Sequence, residues 1–557
     1  MKKMKHICLL LAAAVMMPAC TDWLDIRPLD RTVHENFWKT QEDVESVVLA
    51  CYRAMMEGGY MGGVILNGEA RSDNTIAGKI TADPDLERIM NATILPSNAY
   101  VKWGDFYKVI NYCNSVIEFA PLAADIDPNY TQGMMKAHVA EARTLRALAY
   151  FYLVRIWGDV PYIDFPYSED TQEFKIPKSS GDSILALMAQ DLDANEPDGA
   201  ERYVLKTRGY GITETSQARI NTKGRITKNA VRALLADIYL WLASREGADP
   251  GLYQKCIDAC DRVWPDILPA EIVDFSMVNQ DGWTGAELGL HSNATFETRA
   301  FNYLYFWKND YESIFELQFD REKKNGEVNS FYGTNGAFGT LSAALFVNYD
   351  KLWLEKDDNN KPKDLRGRFS YKHPVSDELD DLVQIYKYVV YIYGVSANGN
   401  VGAEDVSDEV YFPNWIFYRT PDIYLMKAEA LVEQGRLEEA LALVNVTYKR
   451  SNPSAAADLP FAEYSSQELM RELVLHERQR EFLFEGKRWF DLLRFARREG
   501  KSTTMLKYLL RKYDANSTSI IQSKLINMDA LYLPIHQDEL KRNTVLVQNQ
   551  YYLENVK

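Results

Sequence analysis

Cys20 is the residue whose chemistry is best defined by its neighbours. It follows Lys2, Lys3 and Lys5, an apolar run from Ile7 to Met17, and the small Ala19. That order is the layout of a secretory signal. A cysteine directly after the expected cleavage point makes residues 1–19 a bacterial lipoprotein signal, and the Cys20 sulfur becomes the site of lipid attachment. The apolar run is far shorter than the roughly 20 residues that span a bilayer, so the segment is an address and not an anchor helix. Each buried methylene contributes about 0.8 kcal/mol, so several acyl chains hold a protein to a membrane permanently.

The remaining residues with reactive side chains form no recognisable catalytic set. The chain has no glycine-rich phosphate loop, no dinucleotide fingerprint after a strand, no HExxH and no GxSxG. Its histidines (His6, His34, His138, His291, His373, His476 and His536) stand at no ligand spacing. Cys256 and Cys260, four apart on a predicted helix, lack a second ligand pair and read as buried thiols. Asp357, Asp358, Asn359 and Asn360 have the composition of a calcium loop without its register or its glycine, so they read as a solvated loop. No metal and no cofactor is expected. Carboxylates are plentiful but none is singled out, so a glycoside hydrolase stays as a remote alternative. In HERQREFLFEGKRWFDLLRF the charges of Glu477, Arg478, Glu481, Glu485, Arg488 and Asp491 alternate in sign at helical spacing. These predict i,i+3 and i,i+4 pairs and a structural ion network between packed helices, with Phe482, Trp489, Leu492 and Phe495 on the packing face.

The elements around these residues are mostly helical. Asp43–Met56, Trp103–Phe119, Met135–Trp157, Thr227–Ser244 and Gly251–Trp264 carry apolar residues at helical spacing. Pro121 is expected to end the second, and Gly158 with Pro161 the third. Glycines 58, 59, 62, 63 and 68 break the pattern across 57–98 and predict a loop insertion. From Pro265 to Asn414 the sequence turns irregular, aromatic and rich in Gly and Asn, with β-like runs at Ser313–Phe319 and Leu382–Tyr393. Helix returns from Pro421 to Arg498, and an extended tail is expected from Leu531. The stretch DIYLMKAEALVEQGRLEEALALVNVTYKR fits a tetratricopeptide unit: Ala428 at the helix crossing, Leu431 on the next turn, Gly435 in the turn, Leu437, Ala440 and Val444 on the second helix. Such hairpins bury their apolar faces only by stacking.

The net charge is −16, and loss of Lys2, Lys3 and Lys5 with the signal takes it to −19. An acidic body repels nucleic acid, so no nucleic-acid partner is expected. The 34 Tyr, 23 Phe and 11 Trp exceed what the helical stripes absorb, and many lie in the irregular segments.

Five segments resemble the SusD/RagB family of outer-membrane nutrient-binding lipoproteins. They are CTDWLDIRPLDRTVHENFWKTQEDVE, EARTLRALAYFYLVRIWGDVPYI, RTPDIYLMKAEALVEQG, ERQREFLFEGKRWFDLLRF and LYLPIHQDELKRNTVLVQNQYY, running from Cys20 to Tyr552 in family order. The resemblance implies a mostly α fold: about four tetratricopeptide-like helix pairs as a scaffold, with an irregular, loop-rich ligand-binding half and short strands. It implies one unit over 20–557: helical 20–264 with a loop insertion at 57–102, an irregular insertion at 265–414, and C-terminal repeats and tail at 415–557. It further implies surface exposure on the outer membrane and a SusC-like TonB-dependent transporter as partner. The protein would act as that transporter's lid, binding oligosaccharide, or in some members peptide or another nutrient, without catalysis.

In such a family the ligand site lies in loops, where aromatic faces stack on sugar rings and polar side chains meet hydroxyls. Two regions supply both. The first is Arg71, Ser72, Asp73 and Asn74. The second is 282–307, with Trp283 between Gly282 and Gly285, His291, Asn293, Tyr303, Tyr305 and Trp307. Phe331 and Tyr332 follow the next strand. The candidate ligand contacts are therefore Trp283, Asp73, Asn74, Arg71, Trp307, Tyr303 and Tyr332. The alternation of Tyr303, Tyr305 and Trp307 implies a strand with one free face.

Overall fold

Thr40 and Asp43 set the start of the first helix. The Thr40 hydroxyl accepts from the Asp43 N–H at 3.2 Å, and the Asp43 carboxylate accepts from the Thr40 N–H at 2.9 Å. This reciprocal cap satisfies two of the otherwise orphaned end groups. In this computed structural model the described residues are 37–78, 83–167, 175–205, 222–264, 290, 304–305, 308–333, 339–344, 363–372, 383–388, 391–395, 401–405, 412–452 and 458–555.

Helix α1 (Gln41–Met55) buries Val44, Val48, Cys51 and Met55. Helix α2 (Gly58–Ile65) follows and runs into a π-helical turn at Leu66–Ala70. The glycine-rich stretch, expected as a loop, is thus helical, with Tyr60, Met61, Gly62, Val64 and Ile65 buried. The glycines serve close approach: a β-carbon at Gly59 would lie 1.7 Å from the Asp105 carboxylate, and one at Gly63 would lie 3.0 Å from the Phe106 ring. Strand β1 (Thr75–Ala77) comes next, and then a short helix at Pro84–Met90.

Helix α3 (Gly104–Ile126) continues through Pro121, which was expected to end it. Proline removes one backbone bond there, while Ala120 and Ala123 on the inner face stay buried. Helix α4 (Gln132–Trp157) is buried along most of its length and stops at Gly158, whose φ is +78°. Helices α5 (Gly181–Leu192), α6 (Lys228–Ala243) and α7 (Gly251–Asp261) complete the first half.

Strand β2 (Ser313–Leu317), helix α8 (Gly326–Tyr332) and strand β3 (Leu341–Ala343) belong to the irregular region. Tyr371–Lys372 pairs with Gln384–Ile385, and Tyr391–Val395 with Val401–Asp405. Strand β4 (Trp415–Arg419) leads into α9 (Thr420–Glu433), α10 (Leu437–Ser451), α11 (Gln467–Glu481), α12 (Arg488–Glu499) and α13 (Thr503–Leu509). The tail from Leu531 is not wholly extended: it holds α14 (Gln537–Arg542) and α15 (Gln550–Asn555).

The helices stack in neighbouring pairs. α3 packs on α1 and α4, α4 on α5, α6 on α7, α7 on α9, and α9 on α10 and α11. In the α9–α10 hairpin Ala428, Leu431, Ala440 and Val444 are all buried, and Gly435 turns the chain at φ +76°. This mostly helical frame with a few short strands is the expected fold class. Among the described residues two antiparallel ladders tie the irregular region to the rest: β2 against β4, where both strands are fully buried, and β1 against β3. Among the described residues no helix is long and apolar enough to cross a membrane.

Candidate ligand-binding region

The turn after α2 carries Arg71, Asp73 and Asn74, and the structure turns all three inward. They are 4%, 1% and 3% exposed. Asp73 accepts from Arg488 Nε at 2.8 Å and Nη2 at 2.9 Å. Burial pushes the Asp73 carboxyl up, but the Arg488 guanidinium overrides this and holds it below the usual carboxylate range. The Arg71 guanidinium lies 4.0 Å over the Trp489 ring and donates to the Leu531 carbonyl at 2.8 Å. Asn74 donates to Glu69 at 3.0 Å and accepts from Gln479 at 2.9 Å. Lys512 closes the underside, its ammonium donating to the carbonyls of Ser72, Ala70 and Thr75. These residues were expected to face a ligand; their polar atoms instead tie the α2 turn to α11, α12 and the tail.

Tyr332 is also internal. It is fully buried at the end of α8 and its hydroxyl donates to the Phe484 carbonyl at 2.9 Å. Tyr305 donates to Glu485 at 3.0 Å and sits 4.7 Å from Tyr388, which stacks on Trp415 at 5.2 Å. Leu304 and Tyr305 are in a helical turn, so the strand alternation expected there does not apply to them. Phe331 is buried as well. Trp283, His291, Asn293, Tyr303 and Trp307 lie outside the described residues, as do Cys20 and the 357–360 run.

Below this aromatic layer is a buried ion cluster. Arg419 reaches Glu312 at 2.9 Å, Glu485 at 2.8 Å and Glu481 at 2.5 Å. Arg366 reaches Asp364 at 2.6 Å, Glu477 at 2.8 Å and Glu481 at 2.9 Å. Arg450 bridges Glu312 and Glu481, Lys387 meets Glu485 at 2.6 Å, and Arg480 meets Glu477 at 2.7 Å. Charge inside the protein is tolerated when it is paired and hydrogen-bonded. Here Arg366, Lys387, Arg419, Arg450 and Arg480 balance Glu312, Asp364, Glu477, Glu481 and Glu485.

Burial raises the Glu481 carboxyl, yet Arg450, Arg419 and Arg366 hold it well below its ordinary value. Burial likewise opposes ionisation of Glu485, which Arg419 and Lys387 still bring to about 2. These carboxylates are ionised and wrapped by guanidinium groups, which suits them to fixing elements and not to proton transfer. The charged segment is an ion network between packed helices, as expected, but it is two helices and not one. α11 ends at Glu481 and α12 begins at Arg488, with Phe484 at φ +65° and Gly486 at φ +71° between them. Gly68 needs that turn: a β-carbon on it would lie 2.0 Å from the Gly486 carbonyl oxygen. Glu312, Asp364, Arg366, Lys387, Arg419 and Arg450 are the partners that sequence reasoning missed, since nothing at their own positions marks them.

An open groove lies elsewhere, against the N-terminal half of α3. Its volume is about 430 Å³, and it runs between Trp103 and Tyr107 at the start of α3, the residues Pro161, Ile163, Tyr167 and Ile176, and the tail around α14. Tyr107 donates to the Pro161 carbonyl at 2.7 Å. Asn111 accepts from the Tyr167 N–H at 2.7 Å, and Asn543 donates to the Ile176 carbonyl at 2.8 Å, so both flanks are braced. In the sequence Trp103 and Tyr107 mark only a helix stripe, and the tail predicts extended chain.

Comparisons with known proteins agree with this fold. Residues 305–552 match the SusD family model, and residues 22–196 match a model described as starch-binding associating with outer membrane. A SusD-like protein of Formosa agariphila is 26% identical over 526 residues, 89% of this chain and 92% of that one. A SusD superfamily protein of Bacteroides vulgatus superposes with a TM-score of 0.66 at 21% identity, covering 92% of this chain and 100% of that chain. The surface glycan-binding protein A of Bacteroides uniformis gives 0.65 at 20% identity over 92% and 100%.

Proposed function

Because the chain belongs to the SusD family, we propose that it is a lipid-anchored, surface-exposed outer-membrane protein that captures oligosaccharide. It delivers the glycan to a SusC-like TonB-dependent transporter and acts as the lid of that transporter, without catalysis. The family match carries this reading. A similar solved protein is a surface glycan-binding protein, and the second matched model is described as associating with the outer membrane.

The chemistry fits. Lipid on Cys20 supplies the anchor, and Thr21 to about Leu29 reach roughly 30 Å at 3.3–3.6 Å per residue, enough for the body to swing on a fixed lipid. Residues 20–557 act as one unit, with the ligand platform in the irregular insertion. Trp283, flanked in sequence by Gly282 and Gly285, is the proposed stacking surface, with Tyr303 and Trp307 as further proposed contacts. Arg71, Asp73, Asn74 and Tyr332 are buried and are not among the proposed ligand contacts.

Partnership is tested by mild-detergent extraction of outer membranes carrying a tagged full-length chain. A TonB-dependent barrel should co-purify at near-equal amounts. Recovery of the tagged chain with no barrel would remove the lid role.

A further inference from the structure

The groove beside α3 is built from none of the residues of the irregular insertion. Its walls come from the scaffold and the tail: Trp103, Tyr107 and Ile163 on one side, Leu546 and α14 on the other. At 430 Å³ it falls within the roughly 300–1,000 Å³ of small-molecule sites, which pair apolar or aromatic walls with a few polar groups.

Two of those polar groups are uncommitted. Glu539 and Arg542 stand one turn apart on α14, both lining the groove. Among the described residues neither side chain is engaged in a hydrogen bond or an ion pair. Around them the neighbouring polar side chains are spent: Tyr107, Asn111 and Asn543 hold the backbone of the opposite flank. The result is a braced aromatic wall with one free acceptor and one free donor fork at its edge. A carboxylate accepts from two hydroxyls and a guanidinium donates to two oxygens, while an aromatic wall takes the C–H face of a ring.

We propose that this groove is a second saccharide site, holding a single pyranose ring against the partly exposed Tyr107, with Trp103, 4% exposed, packed edge-on behind that ring at 5.7 Å, and the sugar hydroxyls shared between Glu539 and Arg542. It stands on the helical scaffold and uses none of the residues of the irregular insertion. The inference rests on the glycan reading above.

The test uses the mature protein labelled with 5-fluorotryptophan, with the Trp103 fluorine signal identified by Trp103→Phe. The probes are the methyl pyranosides of glucose, galactose, mannose and N-acetylglucosamine. At least one should shift the Trp103 signal saturably, in wild type and in Trp283→Ala alike. Arg542→Ala and Glu539→Ala, on an exposed helix, should each weaken that response about tenfold, the loss expected for a hydrogen bond to a charged group.

Three results would overturn the proposal. The Trp103 signal could stay still while other tryptophans respond, which removes the groove and leaves the glycan reading standing. It could move with benzyl alcohol and with no pyranoside, which makes the groove an apolar pocket. No tryptophan could respond to any saccharide, in which case the glycan reading falls with it.

Discussion

At the residue scale, Glu481 carries the greatest consequence. It contacts Arg366, Arg419 and Arg450 at once, and all four side chains are buried. Glu481→Gln keeps the shape and leaves surplus positive charge without a counter-ion. Removing one partner of a buried pair costs about 3–5 kcal/mol, and urea unfolding of the variant should show a loss of that size. Asp73 illustrates what sequence can and cannot tell. Its spacing and type were visible, as was its place near a turn. Its direction was not, because that depends on Arg488, more than 400 positions later. Cys256 and Cys260 read correctly as buried thiols, since a core helix stripe decides that locally. Tyr332 was misread for the same reason as Asp73: its partner Phe484 is distant in sequence.

At the element scale, helices with a clear apolar period were legible. The α9–α10 hairpin matched residue by residue, whereas two punctuation signals misled. The glycines of 58–63 are a packing surface and not a loop, with Gly59 and Gly63 against α3 and Gly58 and Gly62 against Glu327 of α8, and Pro121 sits inside α3 and not at its end. In both cases tertiary contact outweighs local propensity. The break between α11 and α12 was hidden because the charges and aromatics continue across it, although Gly486 was the available sign.

These elements are joined by depressed carboxylates, which sets an acid response. Glu485 titrates at about 2 in the folded state, Glu481 well below its ordinary value and Asp73 below its own. Their unfolded values lie near 4. Each therefore contributes stability that is complete above the unfolded value and is lost as pH falls towards the folded one. The urea midpoint should drop between about pH 4.5 and pH 2. Glu69, held protonated up to about 8 by burial, changes its contribution only above that window. The Glu485→Gln variant should show a shallower drop, and an equal slope in both proteins would contradict the assignment.

For the whole molecule, the described part of the irregular region is tied to the scaffold by the β2–β4 and β1–β3 ladders and by the ion cluster. The β2 run and the charged segment were legible in the sequence, while the partners each of them meets were not. The overall class was readable because five separate segments kept a recognisable order across the chain. The proposed lipid anchor is tested at this scale as well. Cys20→Ala should leave ligand affinity unchanged and move the protein from the membrane to the soluble fraction. A variant that stayed on membranes lacking the transporter would refute lipid attachment at Cys20. The central claim is binding without turnover, and titration calorimetry of the mature protein against a broad panel of oligosaccharides tests it most directly, with each glycan recovered and weighed by mass spectrometry afterwards. The account predicts saturable binding to at least one glycan class, recovery of that glycan intact, and roughly tenfold weaker binding by a folded Trp283→Ala variant. No binding across the panel, or a shortened glycan after incubation, would contradict it.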